Sequence, residues 1–284
     1  MPDENVFNRI TQEYYQLTAS EKKLANFVSA NGRQAQGMSI SELAAACGVA
    51  EATISRFCRR LGYRGYSAFR LAIAASMAGR IESNPLSGEI TPTDTVSALS
   101  TKLAGAEISA IRETKSLIHP ASIQKAADIL LASEKVLCMG QGGSMLLAEE
   151  ASHLFTTVFP GFFPVPDSHM QVIYASSLSP RDTILYFSYS GATKDLLDVL
   201  RIAKQRRANV LLVTRYPNSP GAEQADLVLQ CGSTETPLQL GSIAARIAQL
   251  YLIDVLFSEM CRRNLEDCKL QRETVADALS EKHI

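Results

Sequence analysis

Residues 183–193 read TILYFSYSGAT, a segment that joins two kinds of sequence. The first part, Thr183–Phe187, is dominated by β-branched, aliphatic and aromatic residues and predicts a buried strand. The second part, Ser188–Thr193, combines Ser and Thr residues with a glycine and precedes a helical pattern. Hydroxyls donate hydrogen bonds to an anion, glycine lets backbone amides approach it, and a helix N-terminus adds a favourable dipole. The segment therefore predicts a phosphate-binding loop at the end of a strand.

A second loop of this kind follows an earlier strand. The apolar segment Lys135–Met139 runs into Gly140–Ser144, which has the pattern G-x-G-x-S. Glycine turns after strands are common, so this loop by itself is weak evidence for an anion site. Ligands of open α/β sheets bind beyond the carboxyl ends of the strands, where both loops are expected to lie. Together the two loops predict one phosphate site.

Strand and helix patterns alternate through the C-terminal two hundred residues. A long connecting helix is expected at 95–119, and another helix at 121–132 precedes the first strand. The strand patterns fall at residues 135–139, 162–165, 183–187, 209–214 and 227–231. Apolar strands separated by helices predict an α/β fold with a five-stranded parallel sheet flanked by helices. The segment 240–257 predicts a helix that lies in the core or in a subunit interface.

Helical signals dominate the first eighty residues. Thr18–Glu21 and Ser39–Glu42 both fit the capping box, in which a hydroxyl and a glutamate satisfy amides at a helix start. Apolar residues then keep helical spacing up to Gly48, and a second helix follows after about four residues. A glycine that can adopt positive φ in so short a turn is typical of a helix-turn-helix. Ala50 is a poor N-cap and weakens the prediction for the start of the second helix.

The second helix of this pair has two different faces. An apolar face is expected to point into the core and consists of Ile54, Phe57, Cys58 and Leu61. On the other face, small residues allow close approach to base edges, Arg56 can contact guanine, and the later arginines suit phosphates. The predicted DNA-binding residues are Ala52, Thr53, Ser55, Arg56, Arg59, Arg60 and Arg64. A solvated basic face on an ordinary helical hairpin is the alternative.

The distribution of charge supports two domains, which a chain of 284 residues also favours. Residues 1–80 contain ten Lys and Arg against six Asp and Glu, whereas the remainder contains 18 and 23. The basic half is therefore the nucleic-acid candidate. Between the halves, Glu82–Asp94 is rich in Pro, Gly, Ser and Thr. We predict an all-helical DNA-binding domain at 1–80, a linker with connecting helix at 81–119, and an α/β domain at 120–284.

Several classes of protein are disfavoured by the sequence. Apolar residues make up 46% and charged residues 20%, which are globular proportions. Neither a signal peptide nor an apolar run of 18 residues is present, so a soluble cytoplasmic protein without membrane association is expected. The six cysteines form no CxxC pair and most of them fall in apolar stretches, which favours buried free thiols. No metal site and no cofactor are predicted.

The motifs resemble a known family. The pairs Gly140-x-Gly142-x-Ser144 and Ser188-x-Ser190-Gly191-x-Thr193 look like the phosphosugar-binding loops of the SIS (sugar isomerase) domain. The segment Arg56-Phe-Cys-Arg-Arg-Leu-Gly-Tyr63 resembles the helix-turn-helix of RpiR transcriptional regulators. The resemblance implies a homodimeric or homotetrameric regulator of carbohydrate metabolism that binds operator DNA and a phosphorylated sugar effector. It implies sugar-phosphate contacts from Gly142, Gly143, Ser144, Ser188, Tyr189, Ser190, Gly191, Thr193 and Glu235, with Gln141 and Tyr189 at positions that help to select the sugar.

Two enzyme hypotheses compete with this interpretation. A sugar-phosphate aldose–ketose isomerase would need an acid and a base, for which the candidates are Glu149, Glu150, His153, His169 and Glu235. The sequence gives none of them a fixed partner, so no catalytic residue is predicted. A dinucleotide-binding enzyme would need a third glycine where Met145 stands, and the hydroxyl-rich loop would then have no role. The attached helix-turn-helix favours sensing over turnover.

Overall fold

The computed structural model describes residues 5–83, 90–232 and 243–280, with side chains described up to residue 77 of the first range. The chain divides into two compact units, one with Met1–Ser109 and the other with Ala110–Ser233 and Gly241–Ile284. The division falls inside the segment 81–119, for which the sequence predicts a linker and a connecting helix. Much of Glu82–Asp94 lies outside the described residues.

The first unit is helical, as predicted. Its helices are α1 (Val6–Glu13), α2 (Ala19–Ala30), α3 (Gly32–Ala35), α4 (Ile40–Cys47), α5 (Glu51–Arg60) and α6 (Tyr66–Ser83), with a 3₁₀ turn at Tyr14–Gln16. Their apolar faces share one core, in which Phe57 packs edge-on against Phe69 with ring centroids 5.6 Å apart. The apolar face of α5 packs into this core, so the opposite face of α5 is available to solvent or to a partner.

Local capping contacts define the helix-turn-helix formed by α4 and α5. Both predicted capping boxes are present, at Thr18–Glu21 and Ser39–Glu42. Helix α4 ends at Gly48, whose φ of 62° lies in the left-handed region that favours glycine. Ala50 is the N-cap of α5 and gives no side-chain hydrogen bond, as expected. The hydroxyl of Ser41 instead donates to Glu51 at 2.5 Å, which links the two helices.

The second unit contains a five-stranded parallel sheet, which confirms the predicted fold class. The helix α7 (Val96–Leu117) leads into it and is followed by α8 (Pro120–Ala132). The strands are β1 (Lys135–Gly140), β2 (Phe162–Pro164), β3 (Asp182–Phe187), β4 (Asn209–Thr214) and β5 (Leu227–Gln230). Their order is β2-β1-β3-β4-β5, and all neighbours are parallel. The remaining described helices are α9 (Gly143–Thr156), α10 (Ser168–Ser176), α11 (Lys194–Arg206), α12 (Ile243–Arg263) and α13 (Leu265–Ser280).

Both faces of the sheet are covered, which explains the continuous apolar strands. Along β3, Leu185 and Phe187 join one core with α8, α9 and α12, whereas Ile184 and Tyr186 join a second core with α10 and α11. The predicted helix at 240–257 corresponds to α12, which continues beyond the predicted end to Arg263. It buries Leu252, Leu256 and other residues in the first core. No helix among the described residues is long and apolar enough to cross a membrane.

The order of the strands creates a switch point between β1 and β3. From β1 the chain passes through α9 to β2 on one side, and it then returns through α10 to β3 on the other side. Gly140 at the end of β1 is the register partner of Phe187 at the end of β3. Ligands of open α/β sheets bind in the crevice that forms at such a point. Both predicted phosphate loops begin there.

Gly48→Ala tests whether the turn of the helix-turn-helix depends on its left-handed backbone. A Cβ at position 48 would meet nothing within 4 Å, so the expected cost comes from φ alone. We expect a loss of roughly 1–2 kcal/mol in the stability of the first unit. Gly65→Ala is the matched control, because its site is equally open and its φ is not positive. Urea unfolding followed by circular dichroism would contradict the argument if both variants lost the same stability.

Candidate functional site

The outward face of α5 presents most of the predicted DNA-binding residues. Ile54, Phe57 and Cys58 are fully buried, as the helical spacing predicts. Ala52, Arg56, Arg59, Arg60 and, beyond the helix, Arg64 are exposed, and Ser55 is half-buried. Exposed arginines on a helix that begins with small residues fit a helix placed in the major groove, where early residues meet base edges.

Two residues of the predicted face differ from the simple expectation. Thr53 was expected to be exposed but is 8% exposed, and its hydroxyl accepts a hydrogen bond from Nη2 of Arg56 at 3.3 Å. Arg60 donates to the carbonyl of Gln16, and its Nε lies 3.7 Å from the carboxylate of Glu21. These contacts bring α2 close to α5, and the residue pattern of α5 alone could not have predicted them. Arg60 ties α5 to the start of α2, and Thr53 helps to orient Arg56.

The first of the two predicted phosphate loops connects β1 to α9. A Cβ on Gly140 would lie 2.6 Å from the carbonyl oxygen of Ser144, so a side chain there would force the loop open. Gly142 has a φ of 55° and is the N-cap of α9, with no side-chain capping bond. Gly143 and Ser144 form the first turn of the helix. The amides of Ser144 and Met145 donate to the carbonyls of Gln141 and Gly142 at 3.1 and 3.0 Å. What this turn offers to an anion is therefore the positive end of the α9 dipole rather than a set of unpaired amides.

The second loop connects β3 to α11 and folds back on itself. Ser188 is buried, and its hydroxyl accepts a hydrogen bond from the Gly191 amide at 3.2 Å. The Ser190 hydroxyl accepts one from the amide of Ala192 at 3.3 Å. Gly191 has a φ of 65°, and a Cβ there would lie 2.0 Å from the hydroxyl of Ser219. Tyr189 and Ser190 are half-buried, so their side chains remain accessible. The loop is a compact turn that leads directly into the start of α11.

Thr193 is the N-cap of α11, yet it makes no capping hydrogen bond. Its hydroxyl oxygen is buried and has no hydrogen-bond partner among the residues that the structure describes. A buried hydroxyl without a partner costs about 1–3 kcal/mol, so such a group needs a reason. The position at a helix N-terminus, beside the hydroxyl loop, favours a bound anion as its missing partner.

Gln171 of α10 is a residue that the sequence interpretation missed. It is fully buried, and its amide donates to the carbonyls of Gly140 and Val165 at 3.0 and 2.8 Å. Its oxygen accepts from Gln141 at 3.0 Å and from the Tyr186 hydroxyl at 3.4 Å. Burial raises the pKa of Tyr186 to about 12, so the phenol keeps its proton and can donate. Gln171 thus fixes the end of β1 where the first loop begins; a lone amide in an apolar helix is a weak sequence signal.

The acid and base candidates of the isomerase hypothesis are not gathered into a pocket among the described residues. Glu149, Glu150 and His153 are exposed on α9, and His169 is exposed on α10. No group of three or more His, Cys, Asp and Glu residues that could hold a metal occurs in the described ranges. Glu235, the predicted sugar contact, lies outside the described residues.

Comparisons with known proteins agree with this architecture. Residues 4–80 match the helix-turn-helix domain of the rpiR family, and residues 129–259 match the SIS domain. An uncharacterized HTH-type transcriptional regulator of Caldanaerobacter subterraneus is 33% identical over 94% of both chains. The regulator HexR of Pseudomonas aeruginosa is 28% identical over 97% of this chain and 95% of its own.

Among solved structures, Vibrio vulnificus NanR in complex with ManNAc-6P superposes with a TM-score of 0.64. It is 23% identical and covers 98% of this chain and 99% of its own, so the likeness concerns the fold. The two family matches, in the order predicted from the sequence, confirm the resemblance drawn from the loops and the helix-turn-helix. The chain therefore belongs to the rpiR family of helix-turn-helix transcriptional regulators that carry a SIS domain.

Proposed function

We propose that the two loops at the β1–β3 switch point bind the phosphate group of a phosphorylated sugar, and that α5 binds operator DNA. The observation that carries the ligand site is the buried hydroxyl of Thr193, which has no partner among the described residues. The proposed contacts are Gly142, Gly143, Ser144, Ser188, Tyr189, Ser190, Gly191 and Thr193, with Glu235 added from the sequence. NanR was solved with a sugar phosphate, and we propose a ligand of that class here.

The regulator hypothesis accounts for more of the chain than the isomerase hypothesis does. Full-length relatives are named transcriptional regulators, and a helix-turn-helix has no role in isomerisation. The chain is a sugar-phosphate-responsive transcriptional regulator rather than a sugar-phosphate isomerase. We propose that the protein acts in the cytoplasm, where it would have access to operator DNA. We propose also that its affinity for DNA changes when the sugar phosphate binds. A thermal-shift screen of hexose, pentose, amino-sugar and sugar-acid phosphates would identify the effector, because a ligand that binds the native state raises its stability.

Thr193→Val separates ligand binding from folding. The valine keeps the shape and removes the buried unpartnered hydroxyl, so the stability of the free protein should stay equal or rise. The affinity for the sugar phosphate found by screening should fall by about 1.5–3 kcal/mol, as expected for a lost hydrogen bond to a charged group. Isothermal titration calorimetry measures the affinity, and thermal unfolding measures the stability.

Thr183→Val is the matched control for Thr193→Val. Thr183 is fully buried, but its hydroxyl lies 2.6 Å from that of Ser133, at the start of β3 and so at the opposite end of the strand from the loop. This variant should lose stability and keep its affinity. If Thr193→Val binds as tightly as the wild type, or if the unphosphorylated sugar binds equally well, the phosphate site is wrong.

Arg56→Ala and Arg64→Ala test the DNA-binding face. Duplexes selected from a random library by the wild-type protein would supply the operator. Arg56→Ala should cost about 1–3 kcal/mol on that sequence and relax base preference. Arg64→Ala should weaken all DNA similarly and lower the salt dependence by about one counterion. Arg181→Ala, an exposed arginine of the other unit, is the control. Wild-type affinity of both test variants on operator and random DNA would contradict the assignment.

We propose further that the protein is a homodimer or homotetramer. Helix-turn-helix proteins read two half-sites with two copies of the recognition helix. Apolar side chains of α7 are exposed in the single chain, with Val96 at 82%, Leu103 at 47% and Ile108 at 44%. Such residues on a connecting helix fit a surface that a second copy covers. Sedimentation equilibrium should give two or four chains, and a monomer at micromolar concentration would contradict the proposal.

A further inference from the structure

Arg215 stands directly after β4 and contacts the backbone of the hydroxyl loop. Its amide donates to the carbonyl of Tyr189 at 3.1 Å, and the hydroxyl of Thr214 donates to the same carbonyl at 3.1 Å. The amide of Gly221 donates to the carbonyl of Gly191 at 2.8 Å. The loop that would enclose a phosphate is therefore bonded to the segment that follows β4, and the two must move together.

The side chain of Arg215 leads from this segment to α7. Its guanidinium is 3% exposed, and Nη1 donates to the carboxylate of Glu113 at 2.7 Å. A buried charge is tolerated when it is paired, so the position of the guanidinium depends on the position of the carboxylate. Most other arginine–carboxylate pairs among the described residues have at least one partner more than a third exposed. Added salt therefore weakens the attraction between Glu113 and Arg215 far less than it weakens ion pairs at the surface.

A second contact attaches the same turn of α7 to the end of β5. The hydroxyl of Thr114 is buried and accepts a hydrogen bond from the amide of Gly232 at 2.9 Å. A Cβ on Gly232 would lie 2.7 Å from the Thr114 amide and 2.8 Å from Cβ of Glu113, so the backbones are in close contact. The amide of Cys231 donates to the carbonyl of Thr214, which closes the network. The C-terminal half of α7 is thus held by the ends of two strands beside the loop.

We propose that the Glu113–Arg215 ion pair transmits occupancy of the hydroxyl loop to α7. This inference rests on the proposed function, because it assumes that the loop binds a phosphate. A phosphate that binds to Ser188–Thr193 displaces the carbonyl of Tyr189, and the backbone of Arg215 moves with it because its amide donates to that carbonyl. The guanidinium of Arg215 then displaces the carboxylate of Glu113 on α7. Glu113 is a positioning residue in this scheme and touches no ligand. Glu113 lies in the last turns of α7, so residues 110–117 are the part of this helix in which the change is expected.

Hydrogen–deuterium exchange on the full chain tests the proposal with inorganic phosphate as the probe. In the wild type, phosphate should slow exchange at residues 188–193 and also at residues 110–117. In Glu113→Gln, protection of the loop should persist, while the phosphate-dependent protection of 110–117 should fall by roughly fivefold or more. Glu107→Gln removes the same charge from the same helix and should behave like the wild type.

The outcomes separate this inference from the function on which it rests. Protection of the loop without protection of 110–117 in the wild type overturns the coupling and leaves the phosphate site intact. Equal protection of 110–117 in Glu113→Gln and in Glu107→Gln also overturns it. Phosphate that protects neither segment overturns the proposed function together with the inference. If Glu113→Gln does not fold, the wild-type comparison of the two segments decides the question.

Discussion

The parallel pairing of β1 with β3 is the contact on which the proposed ligand site depends. These strands are neighbours in the sheet but not in the chain, since β2 is formed between them at the outer edge. The crossover before β2 places α9 on one face, and the helix after β3, α11, lies on the other. Two helix N-termini are thereby brought to one point from opposite sides of the sheet. An anion bound there would meet the favourable dipoles of both helices.

Much of the fold could be predicted because it follows from patterns of neighbouring residues in the sequence. The strands of the sheet, the capping boxes at Thr18 and Ser39 and the inward face of α5 follow from periodicity and from the chemistry of single residues. The glycine loops were recognisable because glycine and hydroxyl residues cluster immediately after apolar strands. These features need no knowledge of distant parts of the chain.

Contacts between segments far apart in sequence were not predictable in this way. Thr53 lines a cavity together with residues at the start of α2, and the pairing of Arg60 with Glu21 joins two separate helices. Gln171 reaches from α10 to the end of β1, and its partners lie on β1, on β3 and in the loop that follows β1. One buried polar residue in an apolar helix indicates that a partner exists, but the fold alone determines which one it is. Periodicity therefore indicates where the candidate sites lie, and tertiary packing determines which contacts each side chain makes.

The shortness of the outer strands has a consequence for how copies of the chain can meet. Strand β2 has three residues, and the last, Pro164, has no amide hydrogen to offer. The opposite edge, β5, has four residues. Such edges give an incoming strand little backbone to pair with, which protects the sheet from growth into aggregates. The homo-oligomer that we propose would therefore have to form through its helices rather than through its sheet edges.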